Sequence, residues 1–229
     1  MKKQQPQISE DKILEASWEL LGEDGIEKLS MRRLADRLGI QAPSLYWHFK
    51  SKQHLYQGLA NQVSKLIVDQ CHSQGDWKER STELAVTMRR VLSQYPCSTQ
   101  MMMMTMPFEQ DMIRFTNYML RCVEDTPLEP DEQMQAITTL SNFVLFFVLD
   151  HYQQERNVET ISEQRHAELD HEMLGIMDTM SDEDTGLFRR MYTQQLFELM
   201  GSDRAFEFGL RVILLGIEQI IAEKQKEDE

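Results

Sequence analysis

"LSMRRLADRLGIQAPSLYWHFKSK", residues 29 to 52, decides the fold. Its first half reads as a short helix. Ser30 stands as its N-cap, Leu34, Ala35 and Leu38 form one apolar stripe, and Gly39 stops it. "IQAPSLYWHF" reads as a second helix, with Pro43 near the first turn, where its missing N–H costs nothing. Tyr46, Trp47, His48 and Phe49 are four rings in a row. A helix turns about 100° per residue, so they cannot all be core. With Leu45 and Phe49 turned inward, Pro43, Ser44 and Trp47 lie opposite, and Tyr46 and His48 fall on the flanks. The outward face therefore mixes rings, a hydroxyl and nearby lysines. Such a face suits a major groove, with rings and hydroxyl against bases and lysines on phosphates. It equally suits an aromatic patch covered by another part of the chain.

Working outward, "SEDKILEASWELLGEDG" is a preceding helix, with Ser9 as cap and Ile13, Ala16 and Leu20 on one face. "SKQHLYQGLANQVSKLIVDQ" is a longer following one, capped by Ser51. Two short helices joined by a tight turn, with another helix behind them, is the order of a helix-turn-helix unit.

Net charge is −14, which at first argues against a nucleic-acid partner. The charge is unevenly placed. Residues 1–56 carry nine Lys/Arg and eight Asp/Glu, whereas residues 57–229 carry 15 and 30. Between 30 and 52 five basic residues face Asp36 alone. Local field governs docking on a polyanion, so acidity confines DNA contact to the N-terminal part without excluding it.

The chain is long enough for one or two domains with substantial cores. All six prolines fall at or before residue 130, leaving the rest free for long helices. "FVLFFVL" (143–149) is too short to cross a bilayer, and "MKKQQPQ" has no apolar signal region. Cys71, Cys97 and Cys122, odd in number and widely spaced, make no disulfide framework, so a cytoplasmic protein is expected.

Residues 9–56, above all "LADRLGI", "LYWHF" and the lysine that follows, resemble the DNA-binding domain of the TetR family of bacterial regulators. The last helix, "AFEFGLRVILLGIEQII", is similar to that of the tetracycline repressors within it. The resemblance implies an all-α fold: a helix-turn-helix domain over 1–56, and a helical effector-binding and dimerisation domain over 57–229. It implies DNA contacts from Met31, Arg32, Ala42, Pro43, Ser44, Tyr46, Trp47, His48 and Lys52, with Lys50 alongside. Ala42 replaces a base-reading glutamine of the tetracycline repressors, so a different operator sequence is expected. The partners implied are double-stranded operator DNA, a small-molecule effector and a second copy of the chain; the function implied is a repressor released from a palindromic operator.

Phe206, Leu210, Ile213, Ile217 and Ile220 form a broad apolar stripe on the last helix, with Gly209 and Gly216 permitting close approach. An intrachain core accounts for such a stripe. By resemblance, this helix and the apolar one at 131–154 build a four-helix dimer interface, and a dimer reads two half-sites. "TQMMMMTMPF" places five of the 16 methionines at 101–106, which suits either an adaptable pocket or plain core. A soft-metal site of these thioethers with Cys97 is chemically permissible, but nothing in the spacing makes the sulfurs converge.

Aligned through Pro107, the magnesium-holding histidine of the tetracycline repressors becomes Met102, and their fourth-helix histidine becomes Val68. Their long-helix histidine and glutamate become Leu145 and Gln153. The resemblance therefore implies no bound metal or cofactor and an apolar effector. Candidate lining residues are Val68, Trp77, Met88, Met102, Met106 and Phe108, with Met112, Phe115, Tyr118, Asn142 and Phe146. His151, His166 and His171 sit among carboxylates without metal-ligand spacing and read as solvated surface. No phosphate loop, nucleophile elbow or zinc pattern is present, and no enzyme activity is expected. The competing readings are a helical ligand-binding protein or enzyme with a non-functional helix-turn-helix, and a protein-interaction adaptor.

Overall fold

Serines start three of the first four helices. Ser9, Ser30 and Ser51 each sit in extended backbone, and each hydroxyl accepts an amide three residues on, from Lys12 (3.4 Å), Arg33 (3.3 Å) and His54 (3.0 Å). The helices are α1 (Glu10–Asp24), α2 (Met31–Leu38) and α4 (Lys52–Asp69); α3 (Ala42–His48) has its proline in the first turn instead. Gly39 closes α2 at φ +64°, the left-handed conformation that favours glycine. The computed structural model describes residues 8–72, 74–160 and 163–227; among these, all regular structure is helical.

Then follow α5 (Trp77–Gln94), α6 (Ser98–Met104), α7 (Gln110–Arg121), α8 (Pro130–Thr160), α9 (Glu163–Asp178), α10 (Asp182–Thr193) and α11 (Asp203–Glu227). The charged stretch from Arg156 onward is helical through the end of α8 and in α9 among the described residues. Helix α10 ends at Thr193 and gives way to a 3₁₀ turn (Leu196–Leu199). No described helix is long and apolar enough to cross a membrane.

Helix α4 joins the two ends of the molecule. Leu55, Leu59, Ala60, Val63 and Ile67 are completely buried and belong to one core that continues from α1–α3 into α5–α8. Its polar side chains are as consequential. Asn61 Oδ1 accepts the amides of Asp111 (2.9 Å) and Met112 (3.2 Å), capping α7 from outside, because Glu109 supplies no side-chain cap. Gln53 donates to the Met104 carbonyl (2.9 Å) and Gln57 to that of Met106. Trp18 Nε1 of α1 donates to Gln62 of α4 (2.9 Å).

The first part of the stripe expected to face a second subunit is turned inward, whereas Ile213, Ile217 and Ile220 line an open groove between α8 and α11. Phe206, Leu210 and Ile217 are buried, Ile213 is half-buried, and only Ile220 is exposed. Phe206 stacks on Phe143 of α8, with ring centroids 5.5 Å apart. At Gly209 an added Cβ would stand 2.5 Å from the Phe143 ring, so that glycine permits contact with the chain's own α8; at Gly216 the space is open. The opposite side of α11 is also apolar, and Phe208, Val212 and Leu215 are exposed there. Helix α11 is apolar on both sides, and Phe206 and Leu210 fill the intrachain core.

Candidate DNA interface and effector cavities

The DNA-facing candidates lie on α2, α3 and the turn beyond. Leu45 is fully buried and Phe49 nearly so, which fixes the rotation of α3. Pro43, Tyr46 and Trp47 are then exposed, Trp47 at 86% of its surface, while Ala42, Ser44 and His48 are half-buried. Among the described residues, none covers the aromatic face. Met31 departs from the expectation: at the first position of α2 it is buried in the three-helix core, with Arg32 beside it exposed.

The arginines of α2 divide by role, which composition does not reveal. Arg33 pairs with Asp24, and Arg37 pairs with Glu19 (3.2 Å) and Glu23, so both hold α2 to α1. The Glu23 hydrogen bond raises the Arg37 guanidinium above its ordinary range. Arg32, Lys50 and Lys52 have no carboxylate partner among the described residues; Lys52 lies 5.3 Å from the Tyr56 ring centroid. His48 sits 3.7 Å from Glu10. Three cations are thus presented beside an exposed aromatic helix.

The expected pocket residues do not surround one cavity. Met88, Met112 and Phe115 are core, whereas Val68, Trp77 and Met102 are half-buried against it. Met106, Phe108, Asn142 and Phe146 are exposed. Tyr118 borders a cleft of about 150 Å³ with Arg80 and Cys122. Met88, Met112 and Phe115 thus fill the core instead of bordering a void. The methionine run is divided: Met101 is fully buried, and Met103, Met104 and Met106 are at the surface. Cys97 is buried, 3.4 Å from the Tyr152 hydroxyl, apart from the surface where Met103, Met104 and Met106 lie. Among the described residues no three His, Cys, Asp or Glu side chains could hold a metal ion. His151 pairs with Glu155 (3.3 Å) and His171 is exposed; the side chain of His166 lies outside the described residues.

Open volume lies elsewhere. A groove of about 820 Å³ runs between α5 and α11, floored by Val86, Phe206, Leu210, Leu214 and Leu215. A second cavity of about 470 Å³ lies where α5, α6 and α8 meet, bounded by Tyr95, Pro96, Cys97, His151 and Tyr152. Arg89 and Ser93 line both. The second cavity abuts α1. Tyr95 packs on Trp18 (centroids 5.0 Å), and a Cβ on Gly22 would stand 3.4 Å from Pro96. Arg156 donates to the Tyr152 hydroxyl (2.9 Å) and reaches Gly25 at the end of α1.

The sequence matches two families: "Bacterial regulatory proteins, tetR family" over residues 13–59, and "Tetracyclin repressor-like, C-terminal domain" over 71–221. The chain belongs to the TetR family. Like the family, it is a DNA-binding transcriptional regulator. It is 30% identical to the class C tetracycline repressor protein of Escherichia coli, over 93% of this chain and 92% of that one. It is similar in structure to TetR from Acinetobacter baumannii AYE (TM-score 0.65, 26% identity, 93% and 98% coverage). It shares its fold with the Streptomyces coelicolor TetR-family protein ActR solved with actinorhodin (TM-score 0.73, 18% identity, 93% and 96% coverage).

Proposed function

We propose that this TetR-family regulator is a homodimeric repressor that grips a palindromic operator through α3. A hydrophobic small molecule bound among the C-terminal helices releases it. The carrying observation is the α3 face, uncovered among the described residues: Pro43, Tyr46 and Trp47 exposed over a buried Leu45, with Arg32, Lys50 and Lys52 uncommitted to any carboxylate described. Ser44 and His48 border that face, and Ala42 opens it. One such helix reads few bases, so two held by symmetry are needed for a specific site. The exposed Phe208, Val212 and Leu215 of α11, near an α8 that exposes Met134 and Phe146, support the dimer. The boundary between DNA-binding and effector domains falls within α4, which carries motion from one to the other.

The test is fluorescence anisotropy on DNA flanking the protein's own gene. Trp47→Ala should weaken specific binding by about 1–3 kcal/mol with fold and dimer intact. Absence of salt-dependent DNA binding by the unmodified protein would favour the ligand-binding protein without a working helix-turn-helix.

A further inference from the structure

The α5–α11 groove and the α5–α6–α8 cavity meet at Arg89 and Ser93, and they differ in chemistry. The groove is an apolar trough, whereas the cavity beyond it presents hydroxyl, imidazole and carboxylate groups. The groove is also locally positive. Lys78, Arg89, Arg90 and Arg211 line it against Asp203 and Glu207, with Lys78 paired to Glu218 (2.8 Å), within a region, residues 57–229, that holds 15 basic and 30 acidic residues. Arg89 is the pivotal cation. Its side chain is 24% exposed, and its guanidinium lies over Phe206 (4.5 Å) and Phe147 (5.1 Å). One nitrogen pairs with Asp203 (2.7 Å), whose side chain is 86% exposed. Exposed pairs contribute little, and a guanidinium offers further N–H groups to a second carboxylate.

We infer that these joined cavities bind a long-chain carboxylate. Its apolar tail lies along Val86, Leu210 and Leu214, and its head group meets Arg89 and Ser93. The tail removes apolar wall and apolar chain from water together, and the head exchanges the solvated Asp203 for a better-shielded partner. The ligand reaches α1 directly. Tyr95 and Pro96 border the head-group end, and they are the residues on which Trp18 and Gly22 rest. Cys97 beside them holds φ +61°, a left-handed conformation rare for a non-glycine residue, at the break between α5 and α6. Displacing that break shifts α1, and with it the three-helix unit, so occupancy lowers operator affinity. The regulatory part rests on the DNA-binding reading above; the site itself does not.

The experiment is isothermal titration calorimetry of the full-length protein with palmitate, octanoate and palmityl alcohol, paired with operator anisotropy. Palmitate should bind saturably. Octanoate, which leaves the trough unfilled, and the uncharged alcohol should each bind at least about tenfold more weakly. Arg89→Gln should cost palmitate a similar factor. Val86→Asp sets a carboxylate in the groove at an exposed position where folding is not at stake, and should do the same. Palmitate bound equally by the parent protein and both variants, equal affinity for the alcohol, or no saturable binding would each overturn the site. Saturable binding that leaves operator affinity unchanged would overturn its regulatory role. Loss of operator binding without ligand would instead refute the DNA reading, while calorimetry still decides the site.

Discussion

The division of basic residues on the N-terminal unit predicts how DNA affinity responds to salt. Arg33 and Arg37 are spent on α1 carboxylates, and Arg32, Lys50 and Lys52 are not. In the proposed dimer, six such cations reach phosphates. Each phosphate neutralised contributes about −0.9 to the slope of log K against log salt, so the slope should be about −5. Affinity should fall by about 10³ between 50 and 200 mM salt. Replacing Lys50 by glutamine removes two cations from the dimer and should flatten the slope by about 2. Arg37→Gln should leave the slope nearly unchanged and act through stability, because its charge is already matched by Glu19 and Glu23. The assay is anisotropy on one operator fragment over a salt series, with thermal melts of each variant. An Arg37→Gln slope as flat as that of Lys50→Gln would refute the partition.

Gly209→Ala forces a methyl against the Phe143 ring and should cost about 1–3 kcal/mol, read as a lower Tm. Gly216→Ala meets open space in the protomer, so at concentrations where the protein is monomeric it should be neutral or stabilising by up to about 1 kcal/mol. Equal losses there would contradict the α8–α11 register. Burial pushes the Cys122 thiol up to about 12 and raises that of Cys71. Both should therefore resist iodoacetamide at neutral pH until urea unfolds the chain; fast native labelling would be the contrary result. Because the folded values are raised, this stabilisation is complete below the ordinary thiol range, about 8.5, and is lost as pH climbs through it toward about 12.

What the sequence disclosed was mostly local. Ser9, Ser30 and Ser51 as caps, Gly39 as a stop and Leu45 with Phe49 as the inward pair each depend on neighbours within four residues, and each is found as read. Helix α11 defeated the same reading because Phe206 and Phe208, Leu210 and Val212 supply an apolar residue in almost every direction. Periodicity then reports a helix without saying which side the chain itself covers. The ion pairs of Arg37 and the cap that Asn61 lends to α7 join residues far apart in sequence, beyond any spacing rule. The cavities were hidden for a related reason: apolar side chains look alike in sequence whether they fill a space or border one.

The borrowed cap on α7 has a further consequence. A helix that carries its own cap frays according to its own sequence, but the first amides of α7 are protected only while Asn61 is seated, and Asn61 rides on α4. Hydrogen exchange at Asp111 and Met112 is therefore a gauge of where α4 stands, readable far from the DNA. A ligand that tilts α4 should quicken exchange at those two positions before any other part of α7 loosens.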